Sequence, residues 1–256
     1  MKCPLSSIIV ATYNRQRYVA TAIKSILDQT RRELELIIWD DGSSDDTLAT
    51  ARQLAGNDPR IHIIEGKHQG QPGVLLEAGK IARGEYIGWV DSDDVLAPTA
   101  LQETAAILDS RPEVGMVYTR YMTIDAENRV GQIGKRCLIP YSKDRLLLDF
   151  MTFHFRLFRK SVYEQVGGVD TTLGAAEDYD LCLKFSEVTQ IAHIPKPLYL
   201  YRVHDDAMSV QTRLKQIMAS RDAIAKALVR RGMDKEYEIN VELMGRFRLK
   251  KKRTIS

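Results

Sequence analysis

The sequence predicts an α/β fold with a parallel-rich central sheet flanked by helices. Three observations carry it. Strand-like and helix-like segments alternate four times in the first 90 residues. The apolar runs are short and continuous, as in strands covered on both faces. Acidic clusters then follow directly after strands, where ligands gather in open parallel sheets.

Each element has its own signal. "LSSIIVAT" (5–12) is a β-branched first strand, and "RYVATAIKSILDQ" (17–29) sets Val19, Ile23, Ile26 and Leu27 at helical spacing. "LELIIWD" (34–40) is the second strand, and "DDTLATARQLAG" (45–56) a helix closed by glycine. "RIHIIEG" (60–66), a helix over 73–83 and "EYIGWV" (85–90) continue the alternation. After Pro98 the rhythm changes. A helix over about 98–110 leads into "VGMVYTRYMTIDAENRVGQ", where "AEN" is a hairpin turn. "FHFRLFRKSVYEQVGGVD" is less regular, a helix opens at "EDYDLCLKFSEV", and short strands fall at "IAHIP" and "LYLYRVH". The expected organisation is an α/β half (1–95), a mixed half of the same domain (96–204), and a helical extension with a basic tail (205–256).

Composition narrows the function. The 256 residues are 44% hydrophobic and 28% charged, with a net charge of +3, which does not suggest a nucleic-acid partner. Basic excess is local, in "RFRLKKKR" (246–253), which suits either a frayed terminus or contact with an anionic leaflet. Cys3, Cys137 and Cys182 are too few and scattered for a disulfide framework or structural zinc. No signal peptide or membrane span is recognisable, so a cytoplasmic address is expected, at most at the inner membrane face.

Three clusters should meet beyond the strand ends: "ATYN" (11–14), "WDDGSSDDT" (39–47) and "VDSDD" (90–94). No G-x-G-x-x-G follows the first strand and no P-loop occurs, so a bound diphosphate needs another partner. A divalent cation, Mg²⁺ or Mn²⁺, held by Asp91 and Asp93 meets that need, since hard cations prefer oxygen ligands. It also explains three crowded carboxylates with no Lys or Arg beside them in sequence. The other reading is a solvated loop capping the next helix. In "DDGSSDD", Ser43 or Ser44 with Asp46 makes a good helix start, leaving Asp40 and Asp41 to spare. Asp41 suits the imide N–H of a pyrimidine, with Tyr13 stacked on the base. Asp178, after a Gly-Ala-Ala loop, is either a helix-start acid or a general base. His204 is a third metal ligand or a proton donor to phosphate; His62 and His193 are structural.

"SIIVATYNRQRYVATAIKSILDQT", "LELIIWDDGSSDDT", "ARGEYIGWVDSDD" and "EDYDLCLKF" together resemble, in order and spacing, family 2 glycosyltransferases, inverting enzymes of the GT-A fold. The resemblance spans about residues 5–204. It implies base contacts by Ala11, Tyr13 and Asp41, a D-x-D element of Asp91, Ser92 and Asp93, and a catalytic base at Asp178. Within that element it makes Asp93 the direct metal ligand, puts Asp91 near the ribose or metal, and sets His204 near the diphosphate. The implied activity is transfer from a nucleoside-diphosphate sugar, UDP-linked by preference, to a saccharide or lipid-linked acceptor. Many relatives carry an Arg-Asn pair in the third helix, which "VLLEAGKIARGEYI" lacks. An inactive sugar-nucleotide binder or scaffold is the alternative. A nucleotidyltransferase is disfavoured, because "ATYNRQRY" is not a Gly-rich triphosphate loop.

Overall fold

A computed structural model describes residues 6–204 and 213–242. The apolar runs read as strands do form one. β1 (Ser6–Thr12), β2 (Leu34–Asp40), β3 (Ile61–Glu65) and β4 (Tyr86–Trp89) lie parallel in the order β3–β2–β1–β4. Successive side chains of a strand point to opposite faces, and β1 feeds two cores accordingly. Ile8 and Val10 pack with Val19, Ile23 and Ile26 of α1 (Val19–Leu27), Ala51 of α2 (Thr47–Ala55) and Leu101 of α4 (Ala100–Ser110). Ile9 packs on the other face with Leu75 and Ala78 of α3 (Gln71–Ile81).

The second half joins the same sheet. β8 (Arg156–Arg159) runs antiparallel between β4 and β6 (Val114–Ile124), and β9 (Gln190–Arg202) lies parallel to β6. β5 (Val95–Leu96) closes the edge against β9, and β7 (Val130–Ile133) forms the expected hairpin with β6. α5 (Lys160–Gln165) and α6 (Glu177–Val188) follow, and α7 (Arg213–Arg230) buries Ala223, Ala227 and Leu228 against the α3/α6 side. Ion pairs fasten it there: Arg230 reaches Asp180 at 3.2 Å and Glu187 at 2.7 Å, both on α6.

Several expectations need correction. The third helix spans Gln71–Ile81 rather than 73–83. The two short strands at "IAHIP" and "LYLYRVH" are one strand, β9, whose register against β6 slips near Arg120 and Pro197. β8 and β5 had no strand signal; in β8 two arginines interrupt the apolar pattern, yet Arg156 is buried and Arg159 donates to the Leu108, Arg111 and Val114 carbonyls. Cys137 and Cys182 are free and buried, while Cys3 and the basic tail lie outside the described residues. Among the described residues no helix is long and apolar enough to cross a membrane.

Candidate active site

The parallel strands end at one edge, and a cleft of about 2210 Å³ opens there. Ala11, Tyr13, Asp41, Asp91, Ser92, Asp93 and Asp178 all line it, so six of the expected sites in the first half meet Asp178 across one space. His204 is not among the lining residues. It stands behind Asp93, with its Nε2 3.1 Å from Asp93 Oδ2 and its side chain 5% exposed.

At the β1/β2 end the chain holds itself by short-range geometry. Gly42 adopts φ +81 in the turn after β2, a conformation open to glycine, and a Cβ there would meet the His68 backbone nitrogen at 3.3 Å. The turn brings Asp41 under the start of α3. There Asp41 Oδ1 accepts from the Gln69 N–H and Oδ2 from the Gly70 N–H, each at 2.9 Å, and His68 Nδ1 lies 2.9 Å from Oδ2. Tyr13, 42% exposed, rests on His68 with ring centres 4.3 Å apart, while Ala11 forms the half-buried floor beside them. Ser43 and Ser44 do not cap α2 as expected. Ser43 Oγ accepts from the Asn14 N–H and the Ser44 N–H donates to Asn14 Oδ1, tying the two loops together. Asp45 takes the capping role by accepting from the Thr47 N–H.

The carboxylate cluster after β4 is less isolated than its sequence neighbours suggested, because distant segments bring basic groups to it. Arg15 Nε lies 3.3 Å from Asp93 Oδ2. Arg202 is buried: its N–H donates to Asp94 Oδ1 and its Nε to the Asp93 carbonyl, both at 2.6 Å. Its two remaining nitrogens bind the Asp125 carbonyl and Asn128 Oδ1 in the β6–β7 turn, each at 2.7 Å. Burial and then its neighbours Asp91 and Asp93 push the Asp94 carboxyl well above the ordinary range. Asp91 accepts from Gln71 Nε2 at 3.1 Å and faces His154 Nε2 at 3.4 Å. Burial first, then the charges of Asp93 and Asp178, raise it to about 7. Among the described residues no group of three His, Cys, Asp or Glu side chains stands ready to hold a metal unaided.

Asp178 is held differently. Arg156 Nη2 donates to its Oδ2 at 3.0 Å; the arginine side chain is 5% exposed and the carboxylate 25%. Burial alone would lower the Arg156 pKa, yet the Asp178 charge and a bond to Cys182 raise it further above its ordinary value. His154 Nδ1 lies 3.5 Å from the same Nη2, and burial then the Arg156 charge hold that imidazole neutral. A continuous run of side chains, Asp91, His154, Arg156 and Asp178, therefore spans the cleft floor. Glu177 is buried beside it, raised well above the carboxylate range by burial and then by Asp178.

Sequence reasoning missed Arg15, Gln71, Arg156, Glu177 and Arg202 as site residues. The available signal was a charged residue within an apolar run: Arg156 in "FHFRLF" and Arg202 in "LYLYRVH". Arginine that interrupts a strand is buried only when paired. His62 and His193 lie where structural roles were expected, beside Glu35 at 3.7 Å and stacked on Tyr118 at 4.4 Å.

The chain is similar to several known proteins. The chain is 34% identical over 210 residues to a chondroitin synthase of Escherichia coli, covering 82% of this chain and 30% of that protein. It is 31% identical over 210 residues to a hyaluronan synthase of Pasteurella multocida, covering 82% of this chain and 22% of the other. The chain thus spans less than a third of either relative's length. Staphylococcus aureus TarS residues 1–349 superimpose with a TM-score of 0.68 at 21% identity, over 88% of this chain and 65% of that one. A Pyrobaculum calidifontis mannosyltransferase, solved with GDP-Man and Mn²⁺, also superimposes with a TM-score of 0.68 at 21% identity, over 90% of this chain and 65% of its own. With these GT-A neighbours, and with the model of the glycosyl transferase family 2 matching residues 7–167, the chain belongs to family 2 of the glycosyltransferases.

Proposed function

We propose that the protein moves a sugar from a nucleoside-diphosphate donor, UDP-linked by preference, to a hydroxyl of a growing glycan or lipid-linked saccharide, with inversion at the anomeric carbon. The observation that carries this reading is Asp178: a carboxylate open to the cleft, fixed by a buried guanidinium, and facing a second acidic cluster across the same space. Related proteins point the same way. TarS has been solved with UDP and with UDP-GlcNAc, and the polysaccharide synthases are named for the glycan they make.

In this reading Tyr13 stacks on the base, Ala11 floors it, and Asp41 accepts the pyrimidine N–H through lone pairs left free beside its two backbone bonds. Each carboxylate oxygen has room for two donors. Asp91 and Ser92 reach the ribose and diphosphate. The acceptor hydroxyl, a weak nucleophile at neutral pH, gives its proton to Asp178 as its oxygen bonds to the sugar C1. The C1–O bond to the diphosphate breaks on the opposite face and its electron pair leaves with the diphosphate. Arg156, whose Nη2 donates to Asp178 Oδ2, aims that carboxylate into the cleft.

A divalent cation fits the residues present. Asp93, with Asp91 two residues before it in the same loop and the His204 imidazole 3.1 Å behind it, would hold Mn²⁺ or Mg²⁺ once the diphosphate supplies further oxygens. Held there, such an ion would supply positive charge to the leaving diphosphate. Residues 6–95 then form the donor half, 96–204 the acceptor side, and residues 213–242 of the extension an outer wall.

A thermal-shift panel of UDP, GDP, dTDP and CDP, each with Mn²⁺, Mg²⁺ or EDTA, tests the donor site, because a ligand specific to the native state raises its melting temperature. Stabilisation by UDP that disappears in EDTA is expected. No shift with any pair would overturn the donor reading in favour of a scaffold.

A further inference from the structure

His154 stands between the two carboxylate ends of the cleft, and both of its ring nitrogens are engaged. Its Nδ1 lies 3.5 Å from Arg156 Nη2, the same nitrogen that donates to Asp178 Oδ2 at 3.0 Å. Its Nε2 lies 3.4 Å from Asp91 Oδ2. Packing keeps the ring from turning away from either. It is stacked on Tyr199 with centres 4.9 Å apart and planes 18° from parallel, and Phe153 meets it edge-on at 4.4 Å. Its side chain is 9% exposed.

The partners dictate the tautomer. A guanidinium has N–H donors, no acceptor, and a fixed charge, so Nδ1 must be the bare, accepting nitrogen. The ring hydrogen then sits on Nε2 and points at the Asp91 carboxylate. The other tautomer would set two N–H groups against each other at Arg156. The stacking partner grips the same aspartate, since the Asp91 N–H donates to the Tyr199 hydroxyl at 3.1 Å. Gln71 Nε2 donates to Asp91 Oδ1 at 3.1 Å. Asp91 thus has a partner on its backbone and on each carboxylate oxygen, and the His154 contact continues through Arg156 to Asp178.

We propose, on the transferase reading above, that His154 is a positioning residue which, in its Nε2–H form, sets the donor-side Asp91 and, through Arg156, the base Asp178 to one shared geometry. It acts through the two residues it holds and touches no reacting atom. Groups that work on opposite sides of one carbon gain from a common reference, because a misplacement of about 1 Å can cost about a hundredfold in rate. Both contacts of the imidazole are near the outer limit of hydrogen bonding, and contacts of this kind tighten when an active site is filled. Phenylalanine in its place would keep the stack on Tyr199 and lose both polar contacts. Glutamine, with a carbonyl to accept and an amide to donate, can restore them.

The test reads the ring first and the kinetics second, both on the full chain. ¹⁵N NMR of the histidines at neutral pH, with the His154 signals identified by their absence in His154→Phe, is expected to show a protonated Nε2 and a bare Nδ1. His154→Phe should lower kcat about tenfold, the worth of one hydrogen bond, and weaken UDP binding in Mn²⁺ about threefold. His154→Gln should recover part of both. The kcat loss should vanish when His154→Phe is combined with Arg156→Gln, because two residues acting in one chain are not additive. A hydrogen on Nδ1 or on both nitrogens, an unchanged kcat in His154→Phe, a kcat loss undiminished beside Arg156→Gln, or a glutamine variant no better than phenylalanine would each overturn the role. A wild type with the expected tautomer but no acceptor-dependent release of UDP would instead fail the transferase reading, and the role with it, while the contact itself stood.

Discussion

Asp41 and Asp178 both present a carboxylate to the same cleft, and they are held in opposite ways. Asp41 is fixed by backbone: two N–H groups at the start of α3 donate to it, 28 and 29 residues along the chain. Asp178 is fixed by a side chain, the buried Arg156 on β8, and little else. A carboxylate held by two backbone donors is a rigid reader. One held by a single guanidinium keeps an open oxygen for chemistry. The difference separates a residue that builds and recognises from one that reacts.

Substitutions can break that contrast. Asp178→Asn should reduce transfer by about 10³-fold, within the range of a lost general base, with the UDP-dependent thermal shift unchanged. Wild-type turnover in this variant would remove Asp178 from the role. Arg156→Gln should lower kcat by about 10- to 100-fold through misplacement of the base while donor KM stays constant, with Arg156→Lys recovering part. It should also destabilise by about 2 kcal/mol in urea unfolding, less than for a fully buried pair, since Asp178 is 25% exposed. A matching fall in kcat and donor affinity would mean that Arg156 serves general structure instead. Asp41→Ala should cost about 1–3 kcal/mol, because two N–H groups lose their acceptor. Asp41→Asn, which retains one acceptor oxygen, should cost less yet lose the preference for a uracil base. An unchanged urea midpoint in the alanine variant would deny the architectural role.

A further effect is in pH. The folded Glu177 carboxyl titrates above its unfolded value near 4.3, so between the two the folded state holds a proton that the unfolded state has lost. Its contribution to stability is complete below the unfolded pKa and declines as pH rises through the folded one. Urea midpoints of the ligand-free protein should fall between about pH 5 and 8, and Glu177→Gln should flatten that slope. A slope unaffected by the substitution would assign it to another group.

The same contrast explains what could be read in the sequence. The parallel half was legible because its signals are local: β-branched runs, helical spacing and loop acids within a few residues of each strand. Asp41, Asp91 and Asp93 were found that way and Asp178 as an acid at a helix start, and the structure gathers them in one cleft. What could not be read was who holds them. Arg202 binds Asp94 across 108 residues and Arg156 binds Asp178 across 22, and both arginines lie in strands where a charge argues against burial. β8 went unrecognised for that reason. Ser43 and Ser44 misled in the reverse direction, since good cap residues were claimed instead by the Asn14 loop.

The most direct test of the central claim is acceptor-dependent release of UDP from a UDP-sugar in the presence of Mn²⁺, with the anomeric configuration of the product read by NMR and Asp178→Asn run beside the wild type. The account predicts release only with acceptor present, an inverted linkage, and loss of both in the variant, which still binds UDP. A retained configuration, or equal turnover by the variant, would contradict it.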